Sequence, residues 1–152
     1  MNNTQITVVE HEVRILASPE TIFSFLVDPE KIVRWQGNEA MLDPRPGGIY
    51  RVGVMGQYMA RGEFVEITPH SKLVFTWGLE KNTDVPPGSS VVEVSLAPDG
   101  DETIVRLRHT DLPSKAPATG HTMRWDHYLA RLVLAAPGGD PGEDPMSTMG
   151  KM

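Results

Sequence analysis

The clearest periodic pattern of apolar and polar residues lies late in the chain, over residues 119–136. At about 100° per residue, as in an α-helix, its large apolar side chains fall on one broad arc. These apolar positions are Trp125, Tyr128, Leu129, Leu132, Val133 and Ala136. Arg124, His127 and Arg131 fall outside the arc, and we therefore expect Arg131 to be exposed to solvent. Pro137 and the two glycines after it end the predicted helix, because proline cannot continue the hydrogen-bond ladder.

Most of the chain before this helix alternates in the manner of β-strands. β-Branched residues predict a first strand over residues 5–16, interrupted near His11. Regularly spaced turn residues separate five more predicted strands, at 48–54, 58–67, 72–79, 90–96 and 103–110. The alternation predicts the buried positions Tyr50, Val52, Val54, Leu73, Phe75, Trp77, Val92, Val94, Leu96, Val105, Leu107 and His109. Phe64 shares the phase of its polar neighbours, so we expect it on the outer face of the sheet.

Two short helices are predicted between the first strand and the rest. Ser18 and Asp28 each precede a proline and a glutamate, which are start signals for a helix. The second helix is predicted to reach about Trp35 and to end near Gly37. A lone amphipathic helix after many strands must bury its apolar stripe on a sheet. The element order therefore predicts an α+β fold, with an antiparallel sheet of six to seven strands packed against the long C-terminal helix.

Composition restricts the classes of function and the location expected for this chain. The chain has 152 residues, a net charge of −6 and no cysteine. An acidic chain has no positive field to attract phosphate backbones, and we predict that it binds no nucleic acid. It has no apolar run long enough to span a bilayer and no secretory signal, so we expect no membrane insertion and a cytoplasmic location. Residues 1–136 are expected to form one domain, and residues 137–152, which contain no aromatic residue, a flexible tail.

Six segments, taken together and in order, resemble a known family. They are residues 18–26, 44–51, 62–69, 72–77, 109–113 and 125–132. Over about residues 7–136 the chain resembles homologues of the activator of the ninety-kilodalton heat-shock-protein ATPase, a family of the START-like (SRPBCC) superfamily. This resemblance implies the helix-grip fold, in which a curved sheet wraps the C-terminal helix and a cavity lies between them.

The candidate ligand site is the space between sheet and helix. Its predicted lining residues are Trp35, Tyr50, Val52, Phe75, Trp77, Val94, Leu107, His109, Trp125 and Leu129. Two interpretations of the large aromatic residues stay open, a filled core or a partly open apolar pocket. His109 needs a hydrogen-bond partner, because burial without one costs about 1–3 kcal/mol. The turn at Thr110 and Asp111 is one candidate partner, and ligand binding and catalysis are the alternatives.

Motifs for other chemistry are missing. The pair Gly47 and Gly48 precedes a predicted strand rather than a helix, so it is not a phosphate loop. His121 and His127 are six residues apart, about 120° around a helix, which does not suit a shared metal ion. We predict no metal, no cofactor and no catalytic set. The strand arginines at positions 51, 61, 106 and 108 are expected to pair across strands with Glu63, Glu66 and Glu93 on the outer face.

Three functions stay open at this point. The first is non-enzymatic binding of a hydrophobic small molecule, such as a lipid, in the cavity. The second is a polyketide cyclase-like enzyme, which the resemblance implies, with His109, Tyr50, Arg51 or Tyr128 as its polar groups. The third is a co-chaperone-type interaction module in the stress response, with a chaperone as partner. A homodimer through Met123, Ala130 and Leu134 on the back of the helix is a further alternative.

Overall fold

The computed structural model describes residues 8–36, 39–54, 58–80, 86–111 and 118–142, with the backbone alone at 54, 58 and 118–124. The elements follow the predicted order of strand, two helices, strands and helix. They are β1 (Val9–Ile15), α1 (Pro19–Val27), α2 (Pro29–Ile32), β2 (Ala40–Leu42), β3 (Ile49–Val54), β4 (Tyr58–Thr68), β5 (Lys72–Trp77), β6 (Ser90–Asp99), β7 (Glu102–Thr110) and α3 (Ala118–Ala135).

All seven strands form one open, curved sheet in the order β1-β7-β6-β5-β4-β3-β2. Each neighbouring pair is antiparallel. The long helix α3 lies against this sheet, and the predicted helix-grip architecture is confirmed. β2 has only three residues, too few for an alternation to reveal it in the sequence. β1 pairs with β7 without a break from Val9 to Ile15, so the interruption predicted near His11 is wrong.

Local capping sets the start of both short helices. The Ser18 hydroxyl accepts a hydrogen bond from the Thr21 N–H at 3.2 Å, and the Asp28 carboxylate accepts one from the Glu30 N–H at 2.9 Å. α2 ends at Ile32, one turn earlier than predicted, and a turn carries the chain on to Gln36. We call residues 19–36, which comprise α1, α2 and this turn, the cap.

The phase of β4 differs from the prediction. A β-bulge between Phe64 and Glu66 inserts an extra residue, which reverses the alternation of side chains beyond it. Phe64 is therefore buried, with 1% of its surface exposed, and packs edge-on against Tyr50 at a ring distance of 5.8 Å. Val65 is 52% exposed instead. The prediction that Phe64 lies on the outer face is wrong for this reason.

Candidate functional site

A narrow chamber lies between the sheet, α3 and the cap. Thirteen of the described residues line it, and none of these is an acid, a lysine, an arginine or a histidine. They are Leu26, Ile32, Trp35, Gln36, Tyr50, Leu73, Phe75, Val94, Val105, Leu107, Trp125, Leu129 and Leu132. The volume of the chamber is about 10 Å³, enough for a single water molecule at most. Of the two interpretations that the sequence left open, the interior is thus much closer to a filled core than to a partly open pocket.

The ten predicted lining residues are all buried, but they do not form one site. Seven of them line the chamber, namely Trp35, Tyr50, Phe75, Val94, Leu107, Trp125 and Leu129. Val52, Trp77 and His109 lie outside its wall. Sequence reasoning did not select six lining residues: Leu26, Ile32, Gln36, Leu73, Val105 and Leu132. Leu73, Val105 and Leu132 carried an inward phase that could have found them, whereas nothing in the sequence pattern marks Gln36.

Trp77, His109 and Trp125 form an aromatic cluster beside the chamber. The ring of His109 meets Trp77 at 5.1 Å and Trp125 at 6.0 Å, both edge to face. The Trp125 indole N–H donates to Nδ1 of His109 at 3.0 Å. On the other side of the ring, Nε2 lies 2.7 Å from the Ser90 hydroxyl oxygen. β6, β7 and α3 therefore each contribute one member of a buried hydrogen-bond chain.

The directions of these hydrogen bonds fix the protonation of His109. An indole nitrogen can only donate, so Nδ1 must accept and the imidazole is neutral with its proton on Nε2. Nε2–H then donates to Ser90, whose hydroxyl donates to the Trp77 carbonyl at 2.9 Å. The prediction that His109 has a partner is confirmed, although the partners are Ser90 and Trp125 rather than the turn after β7.

The close approach of Ser90 to His109 does not form a nucleophile and its base. In such a pair the histidine Nε2 accepts the serine proton, and Nδ1–H donates to a carboxylate. Here both roles are reversed, and both side chains are fully buried, with 0% of their surface exposed. The chain of hydrogen bonds therefore orders the interior between sheet and helix.

Gln36 and Tyr50 are the polar side chains that stand out in the chamber wall. Gln36 is 2% exposed, and its amide makes a hydrogen bond to the Tyr50 hydroxyl. Burial raises the pKa of Tyr50 far above its usual value, and the hydrogen bond from Gln36 offsets part of this rise. The phenol is neutral as a result. The side-chain oxygen of Gln36 is buried and has no hydrogen-bond partner among the residues that the structure describes, a state that costs about 1–3 kcal/mol.

Arg131 is buried, and the prediction that it is exposed is wrong. It lies on α3 with 8% of its surface exposed, where the cap and the residues after the helix cover it. Its guanidinium donates to the carbonyls of Trp35 at 3.2 Å and Arg34 at 3.4 Å in the cap. It also donates to the carbonyls of Gly142 at 2.9 Å and Pro141 at 3.4 Å. One side chain thus joins three segments, and we call this set of contacts the Arg131 clamp.

The clamp also bears on the expected tail. Residues 137–142 turn back from the end of α3, and two of their carbonyls accept hydrogen bonds from Arg131. These contacts differ from the flexible tail that was predicted for residues 137–152. Residues 143–152, the remainder of the expected tail, lie outside the described residues.

With this geometry in hand, comparison with known proteins identifies the family. Residues 16–136 match a protein-family model described as activator of Hsp90 ATPase homolog 1-like protein, abbreviated AHSA1. The chain belongs to this family. A comparison with curated protein sequences gives no match.

Solved structures agree with the AHSA1-like assignment. The AHSA1-like protein RHE_CH02687 from Rhizobium etli is 43% identical and has a TM-score of 0.73, covering 95% of this chain and 92% of that one. The Aha1 dimer from Colwellia psychrerythraea is 18% identical, with a TM-score of 0.74 over 87% of this chain and 97% of that one. PFC0360w, an HSP90 activator from Plasmodium falciparum, is 23% identical, with a TM-score of 0.67 over 82% and 92%. At the two lower identities the likeness shows the fold alone.

The outer face of this AHSA1-like sheet carries ion pairs across neighbouring strands. Arg106 of β7 lies 2.7 Å from Glu12 of β1, and both side chains are exposed. Arg51 of β3 makes a two-pronged contact with Glu80, at 2.8 and 3.1 Å. Its guanidinium lowers the pKa of the Glu80 carboxyl, first through the hydrogen bonds. The strand arginines thus pair with glutamates as predicted, but the partners are Glu10, Glu12 and Glu80 rather than Glu63, Glu66 and Glu93. Arg51 lies away from the interior groups proposed for an enzyme.

Two further classes of site receive no support within the described ranges. No three histidine, aspartate or glutamate side chains lie there close enough together to hold a metal ion. None of the helices in the described part of the chain is long and apolar enough to cross a membrane.

Proposed function

We propose that this AHSA1-like chain is a non-enzymatic binding domain for a small, mainly apolar molecule, held in the chamber between sheet and α3. The observation that supports this function is the composition of the chamber wall. Aliphatic and aromatic side chains from the cap, four strands and α3 converge there, without an ionised group. Binding sites for small molecules are typically apolar concavities with few polar groups.

The size of the chamber sets a condition on binding. At about 10 Å³ it holds no organic molecule, so a ligand occupies space that opens when part of the wall moves. The cap is the part of the wall whose displacement breaks no strand pairing. The Trp35 indole N–H donates to the Phe25 carbonyl at 2.9 Å, which keeps the two short helices together. We therefore expect α1 and α2 to shift together, while Gln36 stays beside Tyr50.

The interior polar groups favour binding over catalysis. His109 is held neutral between Trp125 and Ser90, and Tyr50 is a neutral phenol bound to Gln36. Arg51 is on the opposite face of the sheet, paired with Glu80. These groups do not converge on one point where a reacting atom could lie, which a catalytic set requires.

The test is ligand binding to the purified protein and to two filling variants. Native mass spectrometry looks for co-purified molecules, and quenching of Trp35 and Trp125 reports binding of added apolar compounds. Leu129→Trp places a larger ring in the chamber and should abolish binding. Val94→Ile adds one methylene to the wall and should weaken binding about tenfold, since overpacking costs about 1–3 kcal/mol.

Val91→Ile is the matched control for Val94→Ile. Val91 lies next along β6 from the buried position 92 and faces the other side of the sheet, so its enlargement should leave binding unchanged. Circular dichroism confirms that each variant is folded. Equal binding by wild type and Leu129→Trp, or no binding of any apolar compound by wild type, contradicts the proposal.

A protein interaction through the back of α3 is the second candidate. Leu134 is 55% exposed on this helix, and Ala130, one turn earlier, is also exposed. The third residue of the predicted stripe, Met123, lies outside the described side chains. Such a stripe suits a second copy of the chain or a chaperone. Analytical ultracentrifugation measures self-association, and this candidate becomes the leading one if the ligand test fails.

A further inference from the structure

We infer that the molecule bound in the chamber is neutral and carries one hydroxyl group, which donates a hydrogen bond to the side-chain oxygen of Gln36. This inference rests on the proposed function and adds the chemical class of the ligand. It starts from a single buried atom. The Gln36 oxygen lies in the chamber wall, is cut off from solvent and has no hydrogen-bond partner among the described residues.

Gln36 is held in place from two directions. Its backbone N–H donates to the Ile32 carbonyl at 2.8 Å, which closes the turn at the end of the cap. Its side-chain amide donates to the Tyr50 hydroxyl on β3. The N–H end of the amide is therefore used, and the oxygen end is fixed in position with its lone pairs available. Buried polar groups are rarely left in this state, so a donor from outside the chain is the expected complement.

The other N–H donors in the wall cannot serve Gln36. The Trp35 indole donates to the Phe25 carbonyl at 2.9 Å. The Trp125 indole donates to His109 at 3.0 Å. The chamber thus presents an acceptor that has no partner among the described residues, in an apolar surround, and the matching ligand has a donor on an apolar body.

The lack of a counter-charge and the unpaired Gln36 oxygen disfavour two other common classes of hydrophobic ligand, fatty acid anions and hydrocarbons. Within the described part of the chain no cation lines the chamber, and Arg131 directs donors to backbone carbonyls of the cap. An ionised carboxylate would be buried there without a counter-charge, which strongly disfavours binding. A fatty acid anion is therefore a poor ligand, and a pure hydrocarbon leaves the Gln36 oxygen unpaired. An alcohol or a phenol meets both conditions.

Four probes that share a toluene ring and differ in the para substituent test this inference: p-cresol, 4-methylanisole, p-xylene and 4-methylbenzoate. Only p-cresol is a neutral donor. Binding is measured by calorimetry on the full chain. We expect p-cresol to bind about tenfold more tightly than 4-methylanisole or p-xylene, equal to about 1.4 kcal/mol, and 4-methylbenzoate not to bind.

Gln36→Met supplies the matched variant, because methionine is similar in length, flexible and apolar. It should remove the preference for p-cresol, and its affinity for p-xylene should stay within about threefold of that of wild type. The comparison of the four probes on wild type does not depend on this variant, and so it decides the matter even if Gln36→Met does not fold.

Failure of the inferred ligand class can be distinguished from failure of the proposed binding function. Binding of p-xylene and 4-methylanisole as tight as that of p-cresol overturns the inference and leaves the proposed binding function standing. Preferred binding of 4-methylbenzoate also overturns it. If none of the four probes binds to wild type, the proposed function and the inference fall together.

Discussion

Replacement of Arg131 by alanine tests the Arg131 clamp, where sequence and structure give opposite expectations. A side chain outside the apolar arc of α3 should be exposed, and its loss should then cost about 0.5 kcal/mol or less. In the structure the same side chain is 92% buried, since only 8% of its surface is exposed. Four backbone carbonyls lie within hydrogen-bond distance of its guanidinium.

The magnitude follows from the individual hydrogen bonds. Those to Trp35 at 3.2 Å and Gly142 at 2.9 Å have ordinary lengths, whereas the two at 3.4 Å contribute little. A hydrogen bond to a charged group contributes about 1.5–3 kcal/mol, and the one to exposed Gly142 is readily replaced by water. The Trp35 carbonyl would lose a buried partner, and the apolar stem of the arginine would lose its packing. We therefore expect Arg131→Ala to lower the free energy of unfolding by about 2–4 kcal/mol.

Urea unfolding followed by tryptophan fluorescence measures this change. In a thermal melt it corresponds to a lower Tm by about 6–16 °C, at about 3–4 °C per kcal/mol for a domain of this size. Arg106→Ala is the matched control, because Arg106 is 64% exposed and its ion pair with Glu12 should contribute about 0.5 kcal/mol. Similar small losses in the two variants would show that the clamp does not stabilise the fold.

Truncation after Gly138 gives an independent check on the Arg131 clamp. It removes the carbonyls of Pro141 and Gly142, so we expect a loss of about 1 kcal/mol in the wild-type background. In the Arg131→Ala background the same truncation should have almost no further effect, because the shared interaction is already gone. Additive losses would mean that residues 139–152 stabilise the fold without the clamp.

Two further predictions concern the sheet. Phe64→Ala should cost about 3–5 kcal/mol and Val65→Ala about 0.5 kcal/mol, and the reverse order in urea unfolding would show that the β-bulge does not bury Phe64. The lowered pKa of Glu80 beside Arg51 means that ionised Glu80 stabilises the fold above its ordinary value of 4.5, and that this contribution is lost as the pH falls through the lower folded value. The stability difference between wild type and Glu80→Gln should therefore be largest near neutral pH and shrink below about pH 4.5, whereas a constant difference would contradict the ion pair.

Local signals in the sequence were sufficient for the elements and their order. Ser18 and Asp28 cap helices through N–H groups two or three residues away, so neighbouring residues alone decide where α1 and α2 begin. The 3.6-residue period of α3 and the alternation of β5, β6 and β7 reflect which face is buried. The same periodicities predicted five residues that line the chamber, namely Phe75, Val94, Leu107, Trp125 and Leu129.

Features that depend on distant segments could not be read from these periods. Because the bulge of β4 inserts a single extra residue, the alternation predicted for the whole strand assigned Phe64 to the outer face, although it lies in the core. The partners of His109 come from β6 and α3, 19 and 16 residues away in the chain. Gln36 is polar and follows a short helix, and it became a wall residue only because the cap folds over Tyr50.

The sequence by itself thus determined the order of the elements and the apolar character of the interior, because periodicity and capping are local properties of the chain. The helix-grip architecture was implied by the resemblance of six segments to a known family. The tertiary structure alone decided that Arg131 is a buried clamp, that the chamber has about 10 Å³, and that one amide oxygen in its wall is unpaired. Side-chain volumes summed across distant elements set the size of a cavity, and the position of a carbonyl 96 residues away sets the partner of a guanidinium. Neither the size of a cavity nor the partner of a guanidinium can be predicted from the periodicity of the sequence.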